Sequence, residues 1–241
     1  MPTGRSLLIA IAIAALAAGS YLAARETSLF AVRTLDVRGG TPAIRAQVRA
    51  ALQPELGKSL LKVGGGDIGR RLGAVTGVRS FHFDRRFPST LEVVVTAEWP
   101  VLVVRQGPAA YLVSASGRVL RTLAHPRLSG LPRLWLPTKA TPPRVGEELP
   151  MPPLAGAVAA GPVASAPLPG GVKTVVSDGK QLSLVLGGGF EVRLGDVGDL
   201  RLKLAIARRI LHMTGAGNGG GYVDVSVPER PVLSSNSQVG G

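Results

Sequence analysis

Apolar and polar positions alternate from Phe30 to Val37, with Val32, Leu35 and Val37 on the apolar side, which predicts a half-buried strand. Thr41-Pro42 then has the form of a helix start, a capping hydroxyl followed by proline at the first helical position. Ile44, Val48 and Leu52 recur at helical spacing with Arg45 and Arg49 on the other side, and Pro54 and Gly57 close the helix. Asp67 is placed to cap a second short helix carrying Ile68 and Leu72 and ending near Gly77. Alternation returns at Val78–Asp84 and is strongest at Thr90–Ala97, after the turn Phe87-Pro88-Ser89. On that last strand Leu91, Val93 and Val95 form the continuous apolar set and are expected to face the helices. Glu92, Val94 and Thr96 are expected on the solvent side, with Glu92 open to replacement by Lys. The pattern β-α-α-β-β predicts a small α+β domain of about 70 residues.

Strands dominate from Val101 onward: Val101–Val104, Tyr111–Val113 and Val119–Leu120, then Val172–Val176, Leu182–Leu186 and Phe190–Leu194. Asp178-Gly179 and Gly187-Gly188-Gly189 join the last three as hairpin signals. Between the two sets, residues 137–169 are rich in Pro, Ala and Gly and read as a loose connection holding one weak helix at Leu154–Ala160. Leu200–Met213 is a helix with Leu202, Ile206, Ile210 and Met213 on one stripe. Tyr222–Val227 reads as the last strand, stopped by Pro228 and Pro231, and the polar tail 234–241 as disordered.

Ahead of all this, Ser6–Ala24 carries no charge and extends about 28 Å as a helix. Two readings fit it, a cleaved secretory signal with Ala15-Leu16-Ala17 as a cleavage candidate, and an uncleaved anchor with Tyr21 at the interface. A buried core helix would show a polar face, and this segment has none. Either of the first two exports everything after residue 25.

The chain has 241 residues, of which 45% are hydrophobic, so a packed core is possible and wholesale disorder is excluded. Its net charge of +13 is spread along the chain. No run exceeds two adjacent basic residues, whereas a nucleic-acid footprint is clustered and interleaved with aromatics. The absence of Cys removes thiolate metal sites and thiol nucleophiles. Gly57-Lys58-Ser59 lacks the glycine a phosphate loop requires five positions earlier, where Leu52 stands. His82, His125 and His212 are far apart, and no serine has a G-x-S-x-G setting. Asp196 and Asp199 precede a helix and read as capping residues. The chain reads as a non-enzymatic binding protein with no cofactor and no metal.

Three stretches together carry a family likeness. The first is Phe30-Ala31-Val32-Arg33-Thr34-Leu35-Asp36-Val37-Arg38-Gly39. The second runs through Gly57-Lys58-Ser59-Leu60-Leu61, Gly77-Val78-Arg79-Ser80 and Arg85-Arg86-Phe87-Pro88-Ser89-Thr90-Leu91 to Glu98-Trp99-Pro100. The third is Val192-Arg193-Leu194-Gly195-Asp196, a helix with Lys203-Leu204, Tyr222-Val223-Asp224-Val225 and Pro228-Glu229-Arg230-Pro231. In this order they resemble the FtsQ/DivIB family of bacterial cell-division proteins.

The resemblance implies a fold of an amino-terminal transmembrane helix, a POTRA (polypeptide-transport-associated) domain and a strand-rich β domain with one or two helices. The boundaries it implies are a cytoplasmic tail at 1–6, an anchor at 7–24, POTRA at 28–98 and the β domain at 99–233. It further implies a single-pass inner-membrane scaffold of the divisome, extracytoplasmic in bulk and located at the septum, that links early and late division proteins by binding FtsB and FtsL. In that family FtsB binds at the end of the β domain. This carries over to Tyr222, Asp224, Val225, Val227, Glu229, Arg230 and Val232, on a strand expected to be an edge open to strand addition. The alternatives are an exported POTRA-containing protein of an outer-membrane assembly or secretion system, and a cleaved wall-binding protein.

Overall fold

The computed structural model describes residues 4–26, 28–124, 130–179, 181–215 and 219–235, with side chains of the first helix from 8 to 19 and of the last strand to 234. His125 and the tail 236–241 lie outside the described residues. The first helix, α1, has its backbone over Gly4–Glu26. Among the described residues no helix is long and apolar enough to cross a membrane. The expected transmembrane helix at 7–24 is therefore corrected.

The chain divides into two units, Met1–Ala97 and Glu98–Gly241. In the first, β1 (Thr34–Gly39), α2 (Pro42–Leu52), α3 (Gly65–Gly73), β2 (Val78–Arg86) and β3 (Thr90–Ala97) follow in order. The sheet order is β1-β3-β2, with β1 parallel and β2 antiparallel to the central β3. Thr41 caps α2, its Oγ1 accepting from the Ile44 N–H at 3.3 Å. Asp67 does not cap α3: Gly64 stands at the cap, and Asp67, inside the first turn, pairs with Arg70. Val48, Leu52, Ile68 and Leu72 from the helices meet Leu91, Val93 and Val95 from β3 in the core.

The other face of this sheet corrects the expectation for Glu92. Its carboxylate is buried, 7% exposed, between Arg38, at 3.1 Å, and Arg86. Register places Asp36 on one side of Glu92 and Asp84 on the other, three carboxylates in one row. Like charges directly opposite one another destabilise a sheet, and the two arginines offset that repulsion. Both guanidinium groups are in turn held above their ordinary value, Arg38 chiefly by its hydrogen bond to Asp36 and Arg86 by its bond to Glu92. Lys58 of the Gly57-Lys58-Ser59 sequence is engaged with buried Glu55, at 2.9 Å, as is Arg71.

Among the described residues the second unit is a nine-stranded sheet with two helices. Its strands are β4 (Pro100–Gln106), β5 (Ala109–Ser114), β6 (Val119–Thr122), β7 (Arg133–Trp135), β8 (Val172–Ser177), β9 (Leu182–Leu186), β10 (Glu191–Gly195), β11 (Gly221–Asp224) and β12 (Val232–Ser235). They lie in the order β12-β11-β10-β9-β8-β7-β4-β5-β6. Helices α4 (Pro153–Ser165) and α5 (Leu200–Thr214) contribute Ala157, Ala160, Leu204 and Leu211 to the core shared with Leu134, Leu184, Val192 and Val223.

Three expectations change here. The helix expected at Leu154–Ala160 is present but longer, as α4 over Pro153–Ser165, and it is packed rather than loose, with Ala155, Ala157, Ala159, Ala160 and Val163 buried. Gly156 lets that helix approach the sheet: a Cβ there would lie 2.4 Å from Leu134 Cδ1. The α5 stripe is rotated, for Leu200, Lys203, Leu204, Ala207 and Leu211 are buried while Leu202 and Met213 are exposed. The tail is not polar coil from Ser234, since Ser234 and Ser235 belong to β12.

Candidate partner-binding edge

A sheet edge can take a partner strand only where its outer backbone groups are unpaired. The two ends of the nine-stranded sheet differ in this respect. At β6, the segment 146–149 lies along the edge: Val119 N–H donates to Glu147 O at 2.9 Å, Gly146 N–H to Val119 O at 2.8 Å and Leu149 N–H to Gly117 O at 2.9 Å. At the opposite end β12 is the last strand, and among the described residues no further strand pairs with it.

This corrects the expected edge. Tyr222–Val227 is not a single terminal strand: β11 ends at Asp224 and is covered by antiparallel β12, with Tyr222 opposite Ser234 and Asp224 opposite Val232. Val225 N–H donates to Arg193 O at 2.9 Å, so the odd residues of this segment turn their backbone groups toward β10. Tyr222 and Asp224 therefore turn theirs toward β12. By the alternation of antiparallel ladders, Val232 and Ser234 bond inward to β11, and Leu233 and Ser235 point their N–H and C=O to the open side.

The expected site residues separate into three groups. Val225 is fully buried and belongs to the core, which removes it as a contact residue. Tyr222 and Asp224 are half-buried on the sheet face away from the helices. The Arg193 guanidinium stacks on the Tyr222 ring at 3.8 Å from its centroid and bonds Glu191 at 3.0 Å. Asp224 Oδ1 accepts from the Ser226 N–H and hydroxyl at 2.9 and 2.6 Å, which turns the chain after β11. Val227, Glu229, Arg230 and Val232 are exposed, in the turn between β11 and β12 and at its exit. Arg230 N–H donates to Val227 O at 3.1 Å and closes that turn. Leu233, 40% exposed, was missed by sequence reasoning: two prolines and a run of serines hide a four-residue strand.

The loop ahead of α5 is fixed by a second missed feature. Lys203 is buried, and its ammonium donates to Asp196 Oδ1 at 2.7 Å and Asp196 O at 3.3 Å. This bond, with a second from the Gly198 N–H, holds the Asp196 carboxyl below the usual carboxylate range. Asp199 makes no side-chain cap, so neither aspartate acts as the capping residue expected. A cavity of about 350 Å³ beside this loop is walled by Met151, Pro152, Leu182 and Val197. Two of its polar groups are occupied, Asp196 by Lys203 and the Ser177 hydroxyl by Pro152 O. Among the described residues no three His, Asp or Glu side chains are grouped to hold a metal ion. No family model matches the chain, and no curated protein matches it at a significant level.

Proposed function

We propose that the chain is a non-enzymatic scaffold of the bacterial divisome, acting outside the cytoplasm at the septum and binding FtsB and FtsL through the outer edge of β12. The observation that supports this reading is the difference between the two sheet ends, β6 being partly covered where Val119 bonds the 146–147 segment and β12 having no further strand paired with it among the described residues. An extended FtsB segment adds as a tenth strand, drawing affinity from the outward backbone groups of Leu233 and Ser235 and specificity from alternate side chains. Val227, Glu229, Arg230 and Val232 border that strand and supply side-chain contacts at its entry. The link to cell division rests on the likeness to FtsQ/DivIB sequences; the mode of binding rests on the free edge.

Leu233→Pro tests it. The substitution removes one outward N–H while leaving the inward bonds of Val232 and Ser234 to β11. Binding to a soluble FtsB–FtsL complex is expected to be lost with the melting temperature nearly unchanged. Binding at full strength by a folded Leu233→Pro chain refutes the edge as the site.

A further inference from the structure

The face of the nine-stranded sheet away from the helices carries cations without partners. In the β4–β7 register Arg105 stands opposite Trp135 and Arg133 opposite Val103, while Leu134 between them enters the core on the other side. Arg105, Arg133 and Trp135 therefore share the open face. The Arg105 guanidinium lies over the Trp135 ring, 4.7 Å from its centroid. Its Nε is buried and, among the described residues, meets no acceptor. Arg133 makes no ion pair and no side-chain hydrogen bond among the described residues. A buried donor without an acceptor is disfavoured, and a bound acceptor removes that cost. Stacking engages the flat side of a guanidinium and leaves its in-plane N–H groups for an anion. Along the row of Arg133 the first carboxylate is Glu191, three strands and about 14 Å away, and it is bonded to Arg193 at 3.0 Å. Leu134 pairs with Val175, so Trp135 and Val176, 55% and 41% exposed, are neighbours beside these cations.

We propose that this cluster binds a short acidic segment of a partner protein, one Asp or Glu carboxylate accepting from Arg105 and Arg133 and an adjacent apolar side chain resting on Trp135 and Val176. The two arginines stand on adjacent strands, offset by two residues, which places their backbones about 8 Å apart and brings both long side chains within reach of one carboxylate. Charge and shape select the occupant. A nucleic acid needs a series of free rings on which successive bases stack. Here Trp135 and Tyr222 stand four strands apart, and each already stacks a guanidinium. An anionic lipid surface meets cations that protrude, whereas Arg105 and Arg133 are half-buried against the sheet and open to a narrow chain. A peptide segment supplies both the acid and the apolar side chain within a few ångströms of each other. The cluster lies on β4 and β7, five strands from β12, so this inference does not depend on the proposed function.

The probe is a short synthetic peptide alternating Glu with Leu, compared with the same peptide carrying Lys for Glu. The chain has two tryptophans, so Trp99→Phe leaves Trp135 as the reporter of the site in the full chain. The Glu peptide is expected to bind by fluorescence anisotropy and to shift the Trp135 emission, and the Lys peptide to do neither. Arg105→Gln and Arg133→Gln are each expected to weaken the Glu peptide by about tenfold or more, the loss of a hydrogen bond to a charged group. Arg105→Gln is expected to melt no lower than its parent, because it removes an unpartnered buried donor. Should that variant fail to fold, Arg133→Gln and the Lys peptide still decide the matter. Leu233→Pro is expected to leave this binding intact, which separates the cluster from the β12 edge. Failure of the Glu peptide to bind, equal binding of the Lys peptide, or full-strength binding by a folded Arg105→Gln or Arg133→Gln chain overturns the proposal. So does a Trp135 response to phosphatidylglycerol vesicles without one to the Glu peptide, which would mark the cluster as a lipid contact.

Discussion

Lys203 Nζ donates to Asp196 Oδ1 at 2.7 Å across an uneven boundary, for the lysine side chain is 4% exposed and the aspartate 81%. The pair ties the buried side of α5 to the end of β10. Because the ammonium has left water, its stability depends on the aspartate more than the reverse.

The pH dependence of stability follows from the sign of the shift. The Asp196 carboxyl is held below its ordinary range by the Lys203 hydrogen bond, then by the Gly198 N–H. Its contribution is therefore present above the carboxylate value of the unfolded chain and is lost as pH falls through the lower folded value. Asp196→Asn is expected to melt lower than wild type at neutral pH, with the gap closing on the acid side of about pH 4. Thermal melts across that range check it; a gap independent of pH would show that the charge of Asp196 is not what matters.

In the first unit, Glu92→Lys places a third cation beside Arg38 and Arg86, which both bond Glu92. The expected loss exceeds the roughly 0.5 kcal/mol typical of surface substitutions. Glu92→Gln, which keeps one acceptor, is expected to be milder. Val93→Asp buries an unpaired carboxylate among Leu52, Ile68 and Leu72, at a cost of several kcal/mol. Denaturant unfolding should rank the three as Val93→Asp, Glu92→Lys, Glu92→Gln, from most to least damaging.

Two helical glycines are expected to respond in opposite directions. Gly156 packs α4 onto the sheet, and a Cβ would meet Leu134 Cδ1 at 2.4 Å and Val175 Cγ1 at 3.1 Å. Gly156→Val is expected to cost about 1–3 kcal/mol through overpacking. Gly66 in α3 has nothing within 4 Å of a Cβ, so Gly66→Ala should gain about 0.5–1 kcal/mol of helix stability. Melting temperatures that move the same way for both would contradict the packing described for α4.

These positions also show what the sequence does and does not reveal. β3 stands at Thr90–Ala97 as its alternation predicts, and α2 begins where Thr41-Pro42 marks it, because each signal is local and strong. α4 is legible only as a weak helix at Leu154–Ala160, because it is apolar on every side and carries Pro162, so no periodicity marks its full extent or its burial. α5 is legible as a helix, but Leu202-Ile206-Ile210-Met213 and Leu200-Leu204-Ala207-Leu211 both repeat at helical spacing. Lys203 makes the buried set look like the solvent side, and only its distant partner Asp196 explains its burial. β12 is short and polar, and what identifies it is the ladder offered by β11, a tertiary fact.

The same ladder divides the expected binding residues, and Val225 and Val227 give the sharpest contrast. Val225 is fully buried beneath the bond from its N–H to Arg193 O, whereas Val227 is 53% exposed in the turn toward β12. Val225→Asp is expected to unfold the β10–β12 end of the sheet, since a carboxylate there has no partner and the cost of several kcal/mol is a large share of a domain's stability. Any loss of FtsB–FtsL binding in that variant would accompany a loss of structure. Val227→Asp leaves the core untouched and is expected to keep the melting temperature within a degree or two of wild type, roughly the scatter of surface changes. If the β12 edge is the site, Val227→Asp weakens binding without unfolding, because it alters the border of the added strand. Melting and binding measured on both variants separate the roles: a Val225→Asp chain that melts like wild type would show that this residue faces outward and that the register of β11 is misassigned.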